Sequence, residues 1–149
     1  MNTGRSPLAA SQQPSAAHHA VPPAVRGHFV SETLRPGLSL HCTHIDILQA
    51  MHTESSAEPG LRLILMLEGT LEARFGKQPL RLNASRQPQG VLLSIAETEQ
   101  LQRDIPQPMQ QRQVVIAVNR QWFEEGGFDT LSDRGSTLGL CRQHLALRP

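Results

Sequence analysis

The sequence has few aromatic residues and almost no net charge. Its 149 residues include four Phe, one Trp and no Tyr, and 14 Lys and Arg stand against 13 Asp and Glu. So few aromatics argue against the base-stacking surface of a single-strand-binding protein. A near-neutral chain also has no general attraction to nucleic acid or to anionic membranes. The core must therefore be built from Leu, Val, Ile and Met.

Cysteines and long apolar runs are also scarce. The two cysteines, Cys42 and Cys141, are far apart in the sequence and share no short motif. This favours two free thiols of a cytosolic protein over a disulfide. The first residues lack the apolar stretch of a signal peptide, and no run approaches the length of a membrane span. We therefore expect a soluble cytoplasmic protein that does not contact membranes.

Motifs for catalysis and metal binding are missing as well. There is no Gly-x-Ser-x-Gly elbow, and Gly126-Gly127 is not followed by the Lys and Ser/Thr of a phosphate-binding loop. His41 and His44 are three residues apart, so on a regular strand they face opposite sides and cannot share one ion. A bulge between them, or His52, would be needed to complete a metal site. We expect no catalytic residue, no metal and no cofactor.

What the sequence does contain is a strong β pattern at residues 61–76, which read LRLILMLEGTLEARFG. Residues 61–67 are apolar except for Arg62, whose side chain lines either the outside of the sheet, which is the commoner outcome, or a cavity. Gly69 suits a tight turn, because glycine adopts positive φ without steric cost. An alternating segment follows, with one face formed by Leu71, Ala73 and Phe75. The pattern predicts a β-hairpin made of a buried strand and a half-buried strand.

The rest of the chain divides into three parts. Residues 1–26 are Ala, Pro, Ser and Gln without apolar periodicity, which predicts a disordered tail. Residues 27–119 contain the hairpin, a polar loop at 53–60 and further strands, which we predict at residues 27–34, 38–48, 80–82, 91–95, 100–105 and 113–118. Residues 120–149 begin with a short helix capped by Asn119, and from Asp129 onward the apolar residues have the spacing of one or two amphipathic helices: Leu131, Leu138, Cys141, Leu145 and, at the end, Leu147. The sequence predicts a mainly β domain followed by short helices.

Several of these stretches together resemble one known family. The Leu67-Glu68-Gly69 turn looks like the core hairpin of cupin-type barrels. Residues 35–41, residues 113–119 leading into Trp122, and residues 143–146 are similar to the N-terminal sensor domain of AraC-family transcription regulators. The match is to the PchR-like branch, which regulates siderophore uptake, and it spans roughly residues 30–147. It implies a cupin-like antiparallel β-barrel of the jelly-roll type.

The resemblance also implies a function. The domain would bind a small-molecule effector, with a ferric siderophore as the implied class, and would form a homodimer through its C-terminal helices. DNA would be contacted only through a helix-turn-helix domain that we expect to be missing from this chain. The candidate ligand-binding residues are His41, His44, Glu68 and Arg74.

Two alternatives remain open. The first is a small cupin enzyme, such as an isomerase, epimerase or dioxygenase, although the first strand of the hairpin lacks the histidines of metal-binding cupins. The second is a dimerisation scaffold that binds no ligand. Of the three interpretations, the sequence favours the non-enzymatic sensor.

Overall fold

The structure is a computed structural model that describes residues 24–125 and 144–149, and it consists mainly of β-strands. One short helix, α1, spans Arg120–Glu124. The described strands are β1 (Val25–Arg35), β2 (Leu38–Ile47), β3 (Met51–Ala57), β4 (Gly60–Glu68), β5 (Thr70–Phe75), β6 (Gln78–Asn83), β7 (Gln89–Ile95), β8 (Glu99–Ile105), β9 (Met109–Val118) and β10 (Ala146–Arg148).

The strands form two antiparallel sheets. The first has six strands in the order β1-β2-β9-β4-β7-β10, and the second has four in the order β3-β8-β5-β6. One apolar cluster contains residues of both sheets, so the sheets face each other across a shared core. This architecture confirms the prediction of a mainly β, cupin-like antiparallel fold.

The core follows from alternation along the central strands. In β4 the buried side chains include Ile64 and Met66, and in β7 they include Val91, Leu93 and Ile95. Successive side chains on a strand point to opposite faces, so alternate residues such as these meet the inner face of the other sheet. Burial of these apolar groups is the main favourable term in forming the barrel.

The predicted hairpin at residues 61–76 is wrong in one respect. Both strands and the turn exist, but β4 pairs with β7 and β9, whereas β5 pairs with β6 and β8. Gly69 therefore lies at a corner where the chain passes from the first sheet to the second. Local alternation predicts a strand and a turn, but it does not identify the strand's hydrogen-bonding partner.

The polar loop predicted at residues 53–60 is also wrong for most of its length. Residues 51–57 form β3, and all seven pair with β8. The alternating inner positions of this strand are Met51, Thr53, Ser55 and Ala57. Two of them are small and polar, so the apolar alternation that marks a strand is weak here.

The ends of the chain are described only in part. Asn119 caps α1 as predicted, because its Oδ1 accepts the Gln121 N–H at 2.9 Å. The helices predicted beyond residue 128 fall largely on residues 126–143, outside the described part of the chain. Ala146–Arg148 is a strand paired with β7, so the helical prediction is wrong at Leu147.

The predicted tail likewise lies outside the described residues as far as residue 23, and β1 begins at Val25. Of the two cysteines, Cys42 is a free thiol on β2, while Cys141 is not among the described residues. In the described part of the chain, no helix is long and apolar enough to span a membrane.

Candidate functional site

A single row of side chains crosses the entire first sheet. Strand register places these residues opposite one another, from β1 to β10: Thr33, Ser39, Ala117, Arg62, Leu93 and Leu147. Opposed residues of antiparallel strands share a face, and Leu93 is fully buried in the core. The row therefore lies on the inner face of the sheet. Its Ser39 and Ala117 are small, which leaves space beside Arg62.

A cavity of about 390 Å³ occupies this end of the barrel, where Ser39, Ala117 and Arg62 line it. Its rim is formed by the β1–β2 turn at Gly37, the β3–β4 loop at Glu58, and the start of α1. The main-chain N–H of Asn119 donates to the Gly37 carbonyl at 2.9 Å, which ties the turn to the helix start. The cavity volume is in the range of small-molecule sites.

Arg62 supplies the positive charge of the cavity. Burial lowers the pKa of its guanidinium, and the nearby Glu58 carboxylate partly offsets this effect. Its Nη2 donates to the Glu58 main-chain carbonyl at 3.2 Å. A guanidinium carries five N–H donors, so this bond leaves donor capacity toward the cavity. The site is therefore suited to a ligand that carries an anionic or carbonyl oxygen.

A second inward-facing polar group lies toward the opposite end of the barrel. Arg103 Nη2 donates to Gln111 Oε1 at 3.1 Å, and Gln111 Nε2 donates to the Thr70 carbonyl at 3.0 Å. Gln111 is 1% exposed, and burial lowers the pKa of Arg103. The Arg103 Nε is buried without a hydrogen-bond acceptor among the described residues. The pair joins β8 of the second sheet to β9 of the first.

The four residues predicted to bind ligand do not converge. His41 lies on the inner face of β2, two positions from Ser39, with its Nδ1 2.8 Å from Ser31 Oγ. His44 is exposed on the other face, because β2 pairs with β9 without a register shift. Glu68 is at the corner, six residues along β4 from the cavity, and Arg74 is exposed on the outer face of β5.

Of these four, only His41 shares a face with the cavity row, and the ligand-binding role of each remains a prediction. Sequence reasoning left Arg62 out of the ligand-binding candidates, because an arginine in a strand is more often on the outside of the sheet than in a cavity. The feature that could have indicated it is a single charged residue within an otherwise apolar strand. Such a residue faces the core only where a cavity gives its charged group access to solvent or ligand.

Another polar cluster lies on the outer face of the second sheet. His52 Nδ1 is 2.6 Å from Asp104 Oδ1, and His52 Nε2 is 3.2 Å from Glu54 Oε1. Hydrogen bonds that the His52 ring donates to Asp104, and then to Glu54, raise the pKa of His52, and the bond from His52 lowers the pKa of Glu54. Within residues 24–125 and 144–149, no three His, Cys, Asp or Glu side chains form a group that could hold a metal ion.

Comparison with known proteins finds one family. The family model described as the regulatory protein PchR N-terminal domain matches residues 26–149. No curated protein matches the chain.

Several solved structures are similar at the level of the fold. KdgF from Halomonas sp. is 14% identical with a TM-score of 0.45, covering 70% of this chain and 87% of its own. The Cnp3 cupin domain of Schizosaccharomyces pombe is 9% identical with a TM-score of 0.46, covering 70% and 73%. An HTH_3 family transcriptional regulator from Vibrio cholerae is 20% identical with a TM-score of 0.39, covering 60% and 51%. At these scores the likenesses carry no argument about function.

Proposed function

Because the chain belongs to the family of PchR regulatory N-terminal domains, we propose that it senses a small-molecule effector in the cavity beside Arg62. The observation that carries this proposal is a half-buried guanidinium with spare donors that faces a cavity of about 390 Å³. A ferric siderophore is the ligand class that we infer from the resemblance to PchR-like regulators. The proposal assigns DNA binding to a domain outside these 149 residues.

The position of the cavity suggests how occupancy is transmitted. Arg62 is opposite Leu93 in the inner row, and Leu93 is opposite Leu147 of the C-terminal strand. On the other side of the cavity, Asn119 both lines the wall and caps α1. A ligand therefore contacts the elements that lead toward the C-terminus. To act as a signal, it must bind two arrangements of these elements with different affinity.

Titration with ferric siderophores tests the proposal. Trp122 is the only tryptophan of the sequence and in α1 it follows Gln121, which lines the cavity, so its fluorescence reports occupancy. We expect a fluorescence change and a rise in melting temperature with at least one of the catecholate, hydroxamate and carboxylate classes. No response to any class would contradict the proposal.

A substitution identifies the site. Arg62→Met should weaken binding by about 10- to 100-fold, because it removes charge-assisted hydrogen bonds worth roughly 1.5–3 kcal/mol. Arg81→Met is the matched control, since Arg81 is exposed on the outer face of β6, away from the cavity. Equal affinities of the two variants would exclude this cavity as the binding site.

We propose a non-catalytic role. Among the described residues lining the cavity, Glu58 is the one carboxylate and Arg62 the one cation, and neither His nor Cys is present. A cupin enzyme needs a metal site or an acid/base pair within the barrel. Purified protein that carried a near-stoichiometric transition metal and turned over a small cupin-enzyme substrate would favour the enzyme alternative.

A further inference from the structure

The two edges of the first sheet differ in length and exposure. One edge is β10, a strand of three residues. The other edge is β1, a strand of 11 residues that are all exposed except Val25. No described strand is hydrogen-bonded to its free edge, the one that faces away from β2. A long unpaired edge is a template for pairing with another chain, and monomeric proteins usually shorten, cover or charge such edges.

The exposed side chains of β1 are unusually apolar for a free edge. Phe29 is 58% exposed, Val30 is 44% exposed and Leu34 is 50% exposed. Val30 lies on the outer face of the sheet, opposite Cys42 of β2, whereas Phe29 lies on the inner face near the His41 ring, at 6.4 Å between centroids. Such exposure at the middle of a strand is typical of a surface that another chain covers.

On the outer face of β1, Arg26 and His28 precede Val30 and Glu32 follows it, whereas Arg35 comes after a register shift between Thr33 and Arg35. Arg26 also lies 3.4 Å from Asp46 of the same copy, and both side chains are partly exposed. In an antiparallel pair of identical strands, the first half of one copy lies against the second half of the other. The basic half of each copy would then face the acidic residue of its partner.

We infer that two copies of this chain associate through β1, pairing antiparallel about a two-fold axis at Val30. This register pairs residues 27–33 of each copy, which are centred on Val30 and precede the register shift between Thr33 and Arg35. It places Val30 against the partner's Val30 and His28 against the partner's Glu32, twice by symmetry. Arg26 is diagonal to the same glutamate, within reach of a long side chain. The two six-stranded sheets become one continuous sheet.

This interface differs from the predicted dimer of C-terminal helices. The described C-terminal residues Ala146–Arg148 form an edge strand at the opposite side of the sheet from β1. Pairing through β1 leaves the C-terminal strand outside the strand–strand contact, and among the described residues that line the cavity only Thr33 belongs to β1. The inference therefore stands whether or not the cavity binds an effector.

Cysteine cross-linking tests the register. Val30→Cys is introduced into the full chain in a Cys42→Ser, Cys141→Ser background. Cys42 must be removed because it lies directly opposite residue 30 on β2 and would compete for the disulfide. Directly opposed residues of paired strands have Cα atoms within disulfide range. Mild oxidation should give a disulfide-linked dimer. The matched control is Thr33→Cys in the same background, whose two copies would be six strand positions apart and should remain unlinked.

Charge reversal at Glu32 is an independent test of the same interface. In light-scattering measurements over a range of concentrations, we expect the native chain to dimerise and Glu32→Lys to weaken the dimer by about tenfold or more, because each Arg26 would then face a lysine instead of a glutamate. Adding His28→Glu to Glu32→Lys swaps the signs and should restore most of the affinity.

A chain that is monomeric at every concentration would overturn the inference. So would a dimer that neither cross-links through Val30→Cys nor responds to Glu32→Lys, since it would use another surface, such as residues 126–143.

Discussion

At the scale of single residues, Gly69 is the point where the chain turns from one sheet into the other. Its φ is +85°, and a Cβ at this position would lie 2.3 Å from the Gln110 main-chain oxygen. Because backbone forms this contact, it cannot relax by rotating a side chain. Gly69→Ala should lower the free energy of unfolding by about 1–3 kcal/mol, as measured by urea denaturation.

Gly90 is the matched control for this substitution. It lies in β7 with an ordinary backbone, and a Cβ there would meet Leu65 Cδ2 at 2.9 Å. The end of a leucine side chain can move aside at small cost, so Gly90→Ala should have the smaller effect. Equal losses of stability would show that the corner does not depend on glycine at position 69.

Arg103 and Gln111 lead to a second prediction at this scale. Arg103→Met removes a desolvated charge that lacks a compensating carboxylate, so the loss of stability should be small or absent. Gln111→Leu keeps the guanidinium buried and removes its acceptor, so it should cost about 1–3 kcal/mol more. Thermal denaturation of both variants checks this order, and a more harmful Arg103→Met would contradict it.

Some residue-level features could be predicted from the sequence and others could not. The shared face of Leu71 and Phe75 and the opposed faces of His41 and His44 follow from strand alternation alone. The cavity row could not be foreseen, because Ser39, Arg62 and Ala117 come from three distant segments. Their proximity depends on the register between strands, which no local pattern specifies.

At the scale of elements, the outer faces of β3 and β8 are linked by His52 and its two carboxylate partners. The pKa of His52 is raised from its ordinary value of 6.5, mainly by the hydrogen bond that its ring donates to Asp104. A raised folded pKa gives stability that is fully present below pH 6.5 and is lost as pH rises through the folded pKa. Glu54 acts in the opposite sense, since its lowered pKa gives stability above pH 4.5 that is lost at lower pH.

The difference in melting temperature between the native chain and His52→Gln should therefore be largest between pH 4.5 and 6.5. It should fade as pH rises through the folded pKa of His52, above which the histidine is neutral in both states. Ser56→Ala, on the same exposed face of β3, is the control without a titrating group. A difference independent of pH would show that the cluster contributes no charge-dependent stability.

The same strand shows why some elements escaped prediction. Strands β4, β7 and β9 lie in the interior of the first sheet and have apolar runs, so their positions follow from composition. Strand β3 is an edge strand with small polar residues facing inward. Its extended conformation is stabilised by pairing with β8, which the local sequence does not show. The turn at Gly69 was predicted correctly. The sequence does not show whether the turn closes a hairpin or joins two sheets, because both kinds of turn favour a glycine at this position.

At the scale of the whole molecule, the inner row joins the cavity to the C-terminal strand, and His144 fastens that strand beside β7. Its Nδ1 accepts the main-chain N–H groups of Ala96 and Glu97, at 3.2 and 3.3 Å. Its Nε2 is 2.9 Å from Glu99 Oε1. Because Nδ1 accepts, Nε2 carries the hydrogen and donates to the carboxylate. The imidazole thus holds the segment between β7 and β8.

His144→Ala should accordingly loosen one region and leave the rest of the barrel intact. Amide hydrogen exchange should become faster at Ala96, at Glu97 and along β10, while the β3–β8 pairs keep their protection. Arg148→Ala, at the exposed end of β10, is the matched control and should change exchange little. Uniformly faster exchange would mean that His144 supports global stability instead. A local response would identify β10 as a separable unit, which is the property required of an element that relays occupancy of the cavity.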